Sequence, residues 1–224
     1  MTFSLTARDP GTGALGIVVS SSSPAVAARC AHIRAGVGAV ASQNVTNPAL
    51  GEVGLNALSR GAHAPGALEA MVAADGFTEF RQLAVVSADG TTAGRSGART
   101  LGTYAVVSTG QAVVAGNLLR GEQVATAMLD GYHSSAEESF EARLLAGFTA
   151  AVRAGGEEGP VRSAGLLVAE DVPWPVTDLR VDDADDPLGE LHRLWRLWQP
   201  QKTDYRIRAL DPGCAPSFGV AGDR

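Results

Sequence analysis

The feature that most constrains the fold of this chain is the alternation of strand-rich blocks with pairs of helices. Residues 2–8 alternate polar and apolar side chains, which is typical of a half-buried strand. Residues 9–13 (Asp-Pro-Gly-Thr-Gly) form a turn, and residues 14–20 return as a second strand. We therefore expect the chain to open with an antiparallel hairpin in which strand 14–20 pairs with strand 2–8.

The rest of the chain continues this block arrangement. One helix pair is predicted after the third strand and another after Gly121, and a last helix begins at Asp186 and ends near Trp198. Strand blocks joined by hairpins and separated by helix pairs predict two antiparallel sheets covered by helices, whereas simple β-α-β alternation would predict a parallel sheet. The further strands are predicted at residues 36–43, 82–87, 104–107, 112–115, 163–169 and 176–182.

Local signals predict the helix ends and the extent of the domain. Asn47 is expected to cap the first helix, and Ser135 with Glu138 forms a capping box before a later one. Residues 200–224 show no hydrophobic period. We expect residues 1–199 to form the domain and residues 200–224 to form a tail packed on its surface.

Charge and composition argue against several functions. The 224 residues carry a formal charge of −6 without a basic patch, which argues against nucleic acid or an anionic membrane as partner. No window approaches the roughly 20 apolar residues of a membrane helix, and the first residues lack the pattern of a signal peptide. Cys30 and Cys214 form no metal-binding spacing. We expect a cytoplasmic protein with free thiols, no metal or other cofactor, and a small-molecule substrate.

A glycine motif near the start of the chain is interpreted as a turn. Residues 11–16 match G-x-G-x-x-G, the fingerprint of dinucleotide-binding proteins. That fingerprint needs a helix after it, because the helix N-terminus holds the pyrophosphate. Here the β-branched residues Ile17, Val18 and Val19 follow and continue as a strand, so the motif indicates a hairpin.

Thr2 is the first candidate for chemistry. If Met1 is removed, the chain begins with a threonine that carries both a hydroxyl nucleophile and an α-amine able to act as its base. Many proteins begin with Met-Thr and have no such chemistry. The position of Thr2 on a first strand that turns directly into a second one favours catalysis, since N-terminal nucleophile enzymes present the nucleophile in this way.

Several ordered motifs then resemble those of a known family. They include MTFSLTARDPGTGALGIVVSSSSPAVAARC at the start, GVGAVASQNVTNPALGEVGL, EARLLAGFTAAVRAGGE and SAGLLVAE, and they run from residue 2 to about residue 198. Together they resemble the bacterial family called domain of unknown function 1028. The resemblance implies an α/β (α+β) fold similar to the N-terminal nucleophile (Ntn) hydrolases, a four-layer αββα sandwich with two antiparallel sheets between helix layers. Amidohydrolase activity is what that superfamily implies.

The chain departs from the family pattern at positions that matter for a mechanism. Where relatives carry a histidine, this chain has Arg95 and Arg162. The proteasome-like branch of the superfamily also uses a lysine near the nucleophile, but the lone lysine here is Lys202. An active Thr2 would therefore need its own amine as base.

Other polar residues are candidates for oxyanion stabilisation or substrate binding. Gln43 and Asn117 end predicted strands, where a side-chain amide can donate to an oxyanion, although turns use the same residues. Ser163 begins a later strand and is a candidate for substrate binding. Asp178 and Arg180 share one face of a strand, which fits either recognition of a substrate carboxylate or a surface ion pair.

Two functions from different classes remain. The first is a hydrolase of a small amide-bond substrate that acts through Thr2. The second is a non-catalytic binding or accessory protein that retains the Ntn fold. Cys30 is expected to be a buried structural thiol, and none of the four histidines, expected on helices or loops, is expected to be catalytic. The large apolar surface at Trp195 and Trp198 predicts a homodimer.

Overall fold

The structure, a computed structural model, describes residues 1–137 and 139–222. Within these ranges ten strands form two antiparallel sheets that pack face to face. Helices cover the outer face of each sheet. The molecule is thus a four-layer αββα sandwich, and the predicted fold class is confirmed.

The large sheet has six strands in the order β10-β9-β2-β1-β8-β7, and β1 lies near its centre. The predicted opening hairpin is present, because β1 and β2 pair antiparallel with Phe3 opposite Ser20. These strands are β1 (Thr2–Arg8), β2 (Leu15–Ser21), β7 (Ala105–Thr109), β8 (Ala112–Asn117), β9 (Ser163–Ala169) and β10 (Pro175–Val181).

The small sheet has four strands in the order β3-β4-β5-β6, and it covers the inner face of the large sheet. Its strand β3 was not predicted, and His32, which we expected on a helix or loop, lies on it. The strands are β3 (Ala31–Arg34), β4 (Gly38–Asn44), β5 (Arg81–Ser87) and β6 (Thr92–Ser96).

The helices form the two outer layers. α2 and α3 pack on the small sheet, and α4, α5 and α6 pack on the large sheet. Within the described ranges, no helix is long and apolar enough to cross a membrane. The helices are α1 (Ala27–Cys30), α2 (Ala49–Ser59), α3 (Ala64–Ala73), α4 (Gln123–His133), α5 (Phe140–Arg153), α6 (Pro187–Trp198) and α7 (Lys202–Leu210).

One predicted helix start was placed too early. We expected a capping box at Ser135 and Glu138, but α5 begins at Phe140, and its N-cap is Ser139, whose side chain accepts a hydrogen bond from the Ala142 amide. Glu138 itself lies outside the described residues. A serine run offers several possible caps, and the sequence spacing selected the wrong one.

The interpretation of β1 as a half-buried strand is wrong. Phe3, Leu5 and Ala7 face the helices as the alternation requires. The polar face, however, is turned toward the small sheet and is equally buried, with Ser4 and Thr6 both 0% exposed. The alternation identified two faces, but it could not show that a second sheet covers the polar one.

The C-terminal segment contains a helix that the sequence pattern did not reveal. α7 has no buried residue, and ion pairs connect it to other parts of the fold. The Lys202 ammonium donates to the buried carboxylate of Glu141 at 2.8 Å and to Glu170 at 2.9 Å, and Arg206 pairs with Asp171. Hydrophobic periodicity does not detect a helix that is held in this way.

The two tryptophans of α6 contact their own chain. Trp195 is buried in the core beside the large sheet, and the Trp198 indole donates to the Val176 carbonyl at 3.1 Å. Less of their apolar surface is therefore free for a partner than the sequence suggested. The homodimer stays a prediction.

Candidate functional site

A row of four polar side chains crosses the large sheet at one end. Thr2 on β1 lies opposite Asn117 on β8, and Ser21 on β2 lies opposite Ser163 on β9. The β1–β2 register places Thr2 beside Ser21, with 3.3 Å between their hydroxyl oxygens. All four residues are at most 4% exposed. Antiparallel pairing of four strands thus collects side chains that are far apart in the sequence.

Met1 covers the Thr2 hydroxyl. Thr2 Oγ1 lies 2.5 Å from the Met1 carbonyl oxygen, which also accepts a hydrogen bond from Ser21. The Met1 side chain lies over Gly159, where an added Cβ would approach its terminal methyl carbon to 2.6 Å. A single residue therefore occupies the space in front of Thr2.

A chain of side-chain amides links the two sheets behind this row. Ser4 donates to Gln43 Oε1 at 2.7 Å, and Gln43 Nε2 donates to Gln82 Oε1 at 2.8 Å. Asn117 Nδ2 donates to the same Gln82 oxygen at 3.0 Å. Sequence reasoning missed Gln82. The available signal was a glutamine at the start of an otherwise apolar strand.

Gln43 and Asn117, the two amides proposed for an oxyanion hole, differ in how many of their N–H groups are already hydrogen-bonded. Gln43 Nε2 already donates to Gln82 and to the Ala115 carbonyl, so both of its N–H groups are used. Asn117 donates one N–H to Gln82, and its Oδ1 is buried with no hydrogen-bond partner among the described residues. Asn117 lies directly beside Thr2 and is the better placed of the two.

Ser163 lies in the row but is engaged by a loop. Its hydroxyl donates to the Ser23 carbonyl at 2.6 Å and accepts from the Val26 amide at 3.2 Å. These bonds fix the segment that follows β2, next to Ser21. Ser163 therefore belongs to the row, but its hydroxyl is already hydrogen-bonded to backbone groups.

The structure does not bring Asp178 and Arg180 to Thr2. Both lie exposed on edge strand β10, three strands from β1, which corresponds to roughly 14 Å across the sheet. Arg180 donates to both carboxylate oxygens of Asp178, at 2.7 and 2.9 Å. The surface ion pair, one of the two interpretations left open, describes their geometry.

Glu157 is a second residue that sequence reasoning missed. It is 2% exposed, and its Oε2 accepts a hydrogen bond from the Ser22 amide at 3.1 Å. Burial raises the pKa of Glu157 to about 7, against the opposing effects of the chain's amino group and of Ser22. Its neighbour Glu158 is exposed, and the available signal was that the motif EARLLAGFTAAVRAGGE ends on Glu157.

Other candidate groups lie outside the row. Cys30 is buried 3.6 Å from the Thr46 hydroxyl, and burial raises the pKa of its thiol, which disfavours the thiolate. Arg95 and Arg162, which stand where the family resemblance pointed to a histidine, form ion pairs with Glu79 and Asp183 respectively. Neither arginine replaces a base beside Thr2.

A cavity of about 610 Å³ lies elsewhere. It is found between α4, α5 and α6, and its lining includes Thr149, His192 and Trp195. With Met1 in place, Thr2 is enclosed and does not line it.

The fold and the row together define a class: an αββα sandwich whose first strand begins, in its interior, with a threonine. The chain belongs to the family of unknown function DUF1028, whose model matches residues 2–191. The crystal structure of protein SPO2555 from Silicibacter pomeroyi, also assigned to DUF1028, is 31% identical, with a TM-score of 0.81 over 88% of each chain.

A more distant likeness connects the chain with Anbu (ancestral beta-subunit) from Yersinia bercovieri. It has 9% identity and a TM-score of 0.40, over 97% of this chain and 100% of that one. No curated protein matches the chain.

Proposed function

We propose that this protein is a hydrolase of an amide (C–N) bond in a small substrate, with Thr2 as the nucleophile. The observation that carries the proposal is the position of the Thr2 hydroxyl, which lies within a buried polar row and against the Met1 carbonyl. The proposal takes Met1 as the initiator methionine. Its removal would free both the hydroxyl and the α-amine of Thr2.

The chemistry follows from groups within the row. As Thr2 Oγ1 attacks the substrate carbonyl carbon, its proton passes to the α-amine, and the carbonyl oxygen becomes an oxyanion. In this proposal Asn117, which uses one N–H on Gln82, donates its other N–H to that oxyanion. The amine then gives the proton to the leaving nitrogen, the C–N bond breaks, and a water molecule hydrolyses the Thr2 ester by the same route in reverse.

The candidate residues have different roles in the proposed function. Ser163 is proposed to shape the site through the loop that it holds, because its hydroxyl is already bonded. Asp178 and Arg180 would act on substrate only if it extended along the sheet edge. Gln43 is proposed to hold Asn117 through Gln82, because its own donors are used.

A specific observation supports a second candidate, a binding or accessory protein without catalysis. The lone lysine, Lys202, is bound to Glu141 and Glu170 instead of lying beside Thr2. On this reading the polar row stabilises the contact between the sheets and carries out no reaction.

Hydrolysis of small amides distinguishes the two candidates. The assay follows the release of primary amine from a panel of N-acyl amino acids and short-chain amides. The Thr2→Ala variant is compared with Thr6→Ala, which removes another buried hydroxyl from the same face of β1. Amine release by the wild type and Thr6→Ala but not by Thr2→Ala supports the hydrolase. Activity that survives Thr2→Ala, or no release from any compound by the wild type, contradicts it.

A further inference from the structure

We propose that Glu157 is a positioning residue whose carboxylate holds the α-ammonium group of Thr2 once Met1 has been removed. The inference rests on the proposed function, because it concerns the amine that would serve as the base. It assigns a role to a side chain to which the sequence analysis gave none.

The first support is that Glu157 is buried with one oxygen unused. The residue is 2% exposed, and only Oε2 is bonded, to the Ser22 amide at 3.1 Å. Oε1 has no hydrogen-bond partner among the described residues. A buried carboxylate is costly unless its oxygens are paired, so an unfilled acceptor position marks a place for a donor.

The second support is that the segments around Glu157 enclose the start of the chain. Ser21, adjacent to the residue that binds Glu157, donates to the Met1 carbonyl, and Gly159 lies against the Met1 side chain. The terminal amino group is near enough to lower the pKa of Glu157 against the dominant effect of burial. Removal of Met1 shifts that amino group by one residue, about 3.8 Å between Cα atoms, toward Thr2.

In the proposed reaction, Glu157 would act while the α-amine of Thr2 carries the proton taken from the Thr2 hydroxyl. When Thr2 Oγ1 loses its proton to the α-amine, the amine becomes an ammonium ion inside a largely buried site. The Glu157 carboxylate would stabilise this cation and orient the amine until the proton passes to the leaving nitrogen. Glu157 does not touch the substrate and neither gains nor loses a covalent bond.

The α-amine can be titrated directly, because the chain has just one other amine, on Lys202. Reductive methylation with ¹³C-formaldehyde labels both amines of the mature protein, and ¹H–¹³C NMR follows each one with pH. We expect Glu157→Gln to lower the pKa of the α-amine by about one pH unit, because it removes the nearby negative charge. The exposed neighbour provides the matched control, and Glu158→Gln should leave both signals unchanged.

A more conservative variant keeps the test decisive if Glu157→Gln does not fold. Glu157→Asp retains the charge but shortens the side chain by one methylene, so the pKa of the α-amine should also fall, by a smaller amount. The Lys202 signal, held by Glu141 and Glu170, reports whether each variant retains the native fold.

The outcomes separate this inference from the proposed hydrolase. An α-amine pKa that is the same in wild type, Glu157→Gln and Glu157→Asp would overturn the role of Glu157, even if amide hydrolysis is observed. A chain that retains Met1 would overturn it as well. A lowered pKa without hydrolysis of any amide would leave the ammonium site in place and count against the hydrolase alone.

Discussion

The layer between the two sheets has two ends of opposite character. At one end, Leu15, Ile17 and Val113 pack in an apolar cluster that also contains the buried hydroxyl of Thr6, the cross-strand neighbour of Ile17 and Val113. At the other end the same strands present Thr2 and Asn117, which are equally buried. Buried polar groups cost stability unless they are paired, and apolar side chains at this end would pack without that constraint. The proposed function assigns chemistry to the polar end and packing to the apolar end.

The largest effect is expected from Thr2→Ala, which should reduce amide hydrolysis by at least about 10³-fold. The hydroxyl and the amine act as one unit, so the loss of the nucleophile removes nearly all of the rate. The melting temperature should change little, because only a methyl and a hydroxyl are lost. Thr2→Ser should retain part of the activity. Steady-state kinetics and calorimetry of the three proteins test this, and a marked loss of stability in Thr2→Ala would show that the polar end is structural.

The next largest effect is expected at the amide that joins the sheets. Gln82→Leu should lower the free energy of unfolding by about 4 kcal/mol, because it leaves donors of both Gln43 and Asn117 buried without a partner. The control at the apolar end is Ile17→Val, which should cost about 1 kcal/mol. Urea unfolding of both variants compares the two ends. Equal costs would mean that the amide network is not integral to the fold.

A smaller effect is expected for the buried ion pair that holds α7. Lys202→Met should lower the free energy of unfolding by about 3 kcal/mol, because the Glu141 carboxylate, on a side chain 3% exposed, loses its ammonium partner. The residual bond from Thr177 does not neutralise that charge. Chemical denaturation measures the change. Wild-type stability in this variant would show that Glu141 is solvated or protonated.

The smallest effect is expected for the exposed ion pair on β10. Arg180→Gln should change the free energy of unfolding by no more than about 0.5 kcal/mol, because the side chains of Arg180 and Asp178 are 40% and 35% exposed and solvent screens the pair. Activity should also be unaffected with small substrates, since the pair is three strands from Thr2. A KM raised about tenfold in Arg180→Gln would restore the carboxylate-binding interpretation and extend the site to the sheet edge.

The fold could be predicted from the sequence because its signals are local. The hairpin of β1 and β2, the strand at residues 163–169 and the Asp186 cap of α6 all depend on neighbours in sequence. What could not be predicted depends on distant contacts. α7 is stabilised by charges on other elements, and the polar face of β1 is buried by a sheet that the pattern of β1 cannot indicate.

The candidate site could be predicted only in part for the same reason. Thr2 was identified from its position in the chain, and Asn117 from its position at a strand end. Gln82 and Glu157 acquire their significance from burial and from partners on other strands. The pair Glu157 and Glu158 illustrates the limit, because two identical residues in one loop differ entirely in exposure.

The central claim is that removal of Met1 turns the enclosed Thr2 into an N-terminal nucleophile at the polar end of the layer. Intact-mass spectrometry of the purified protein tests it most directly, with N-terminal sequencing to identify the first residue. The account predicts a chain that begins at Thr2 with an unmodified α-amine. A homogeneous chain that retains Met1, with its carbonyl still over the Thr2 hydroxyl, would contradict it.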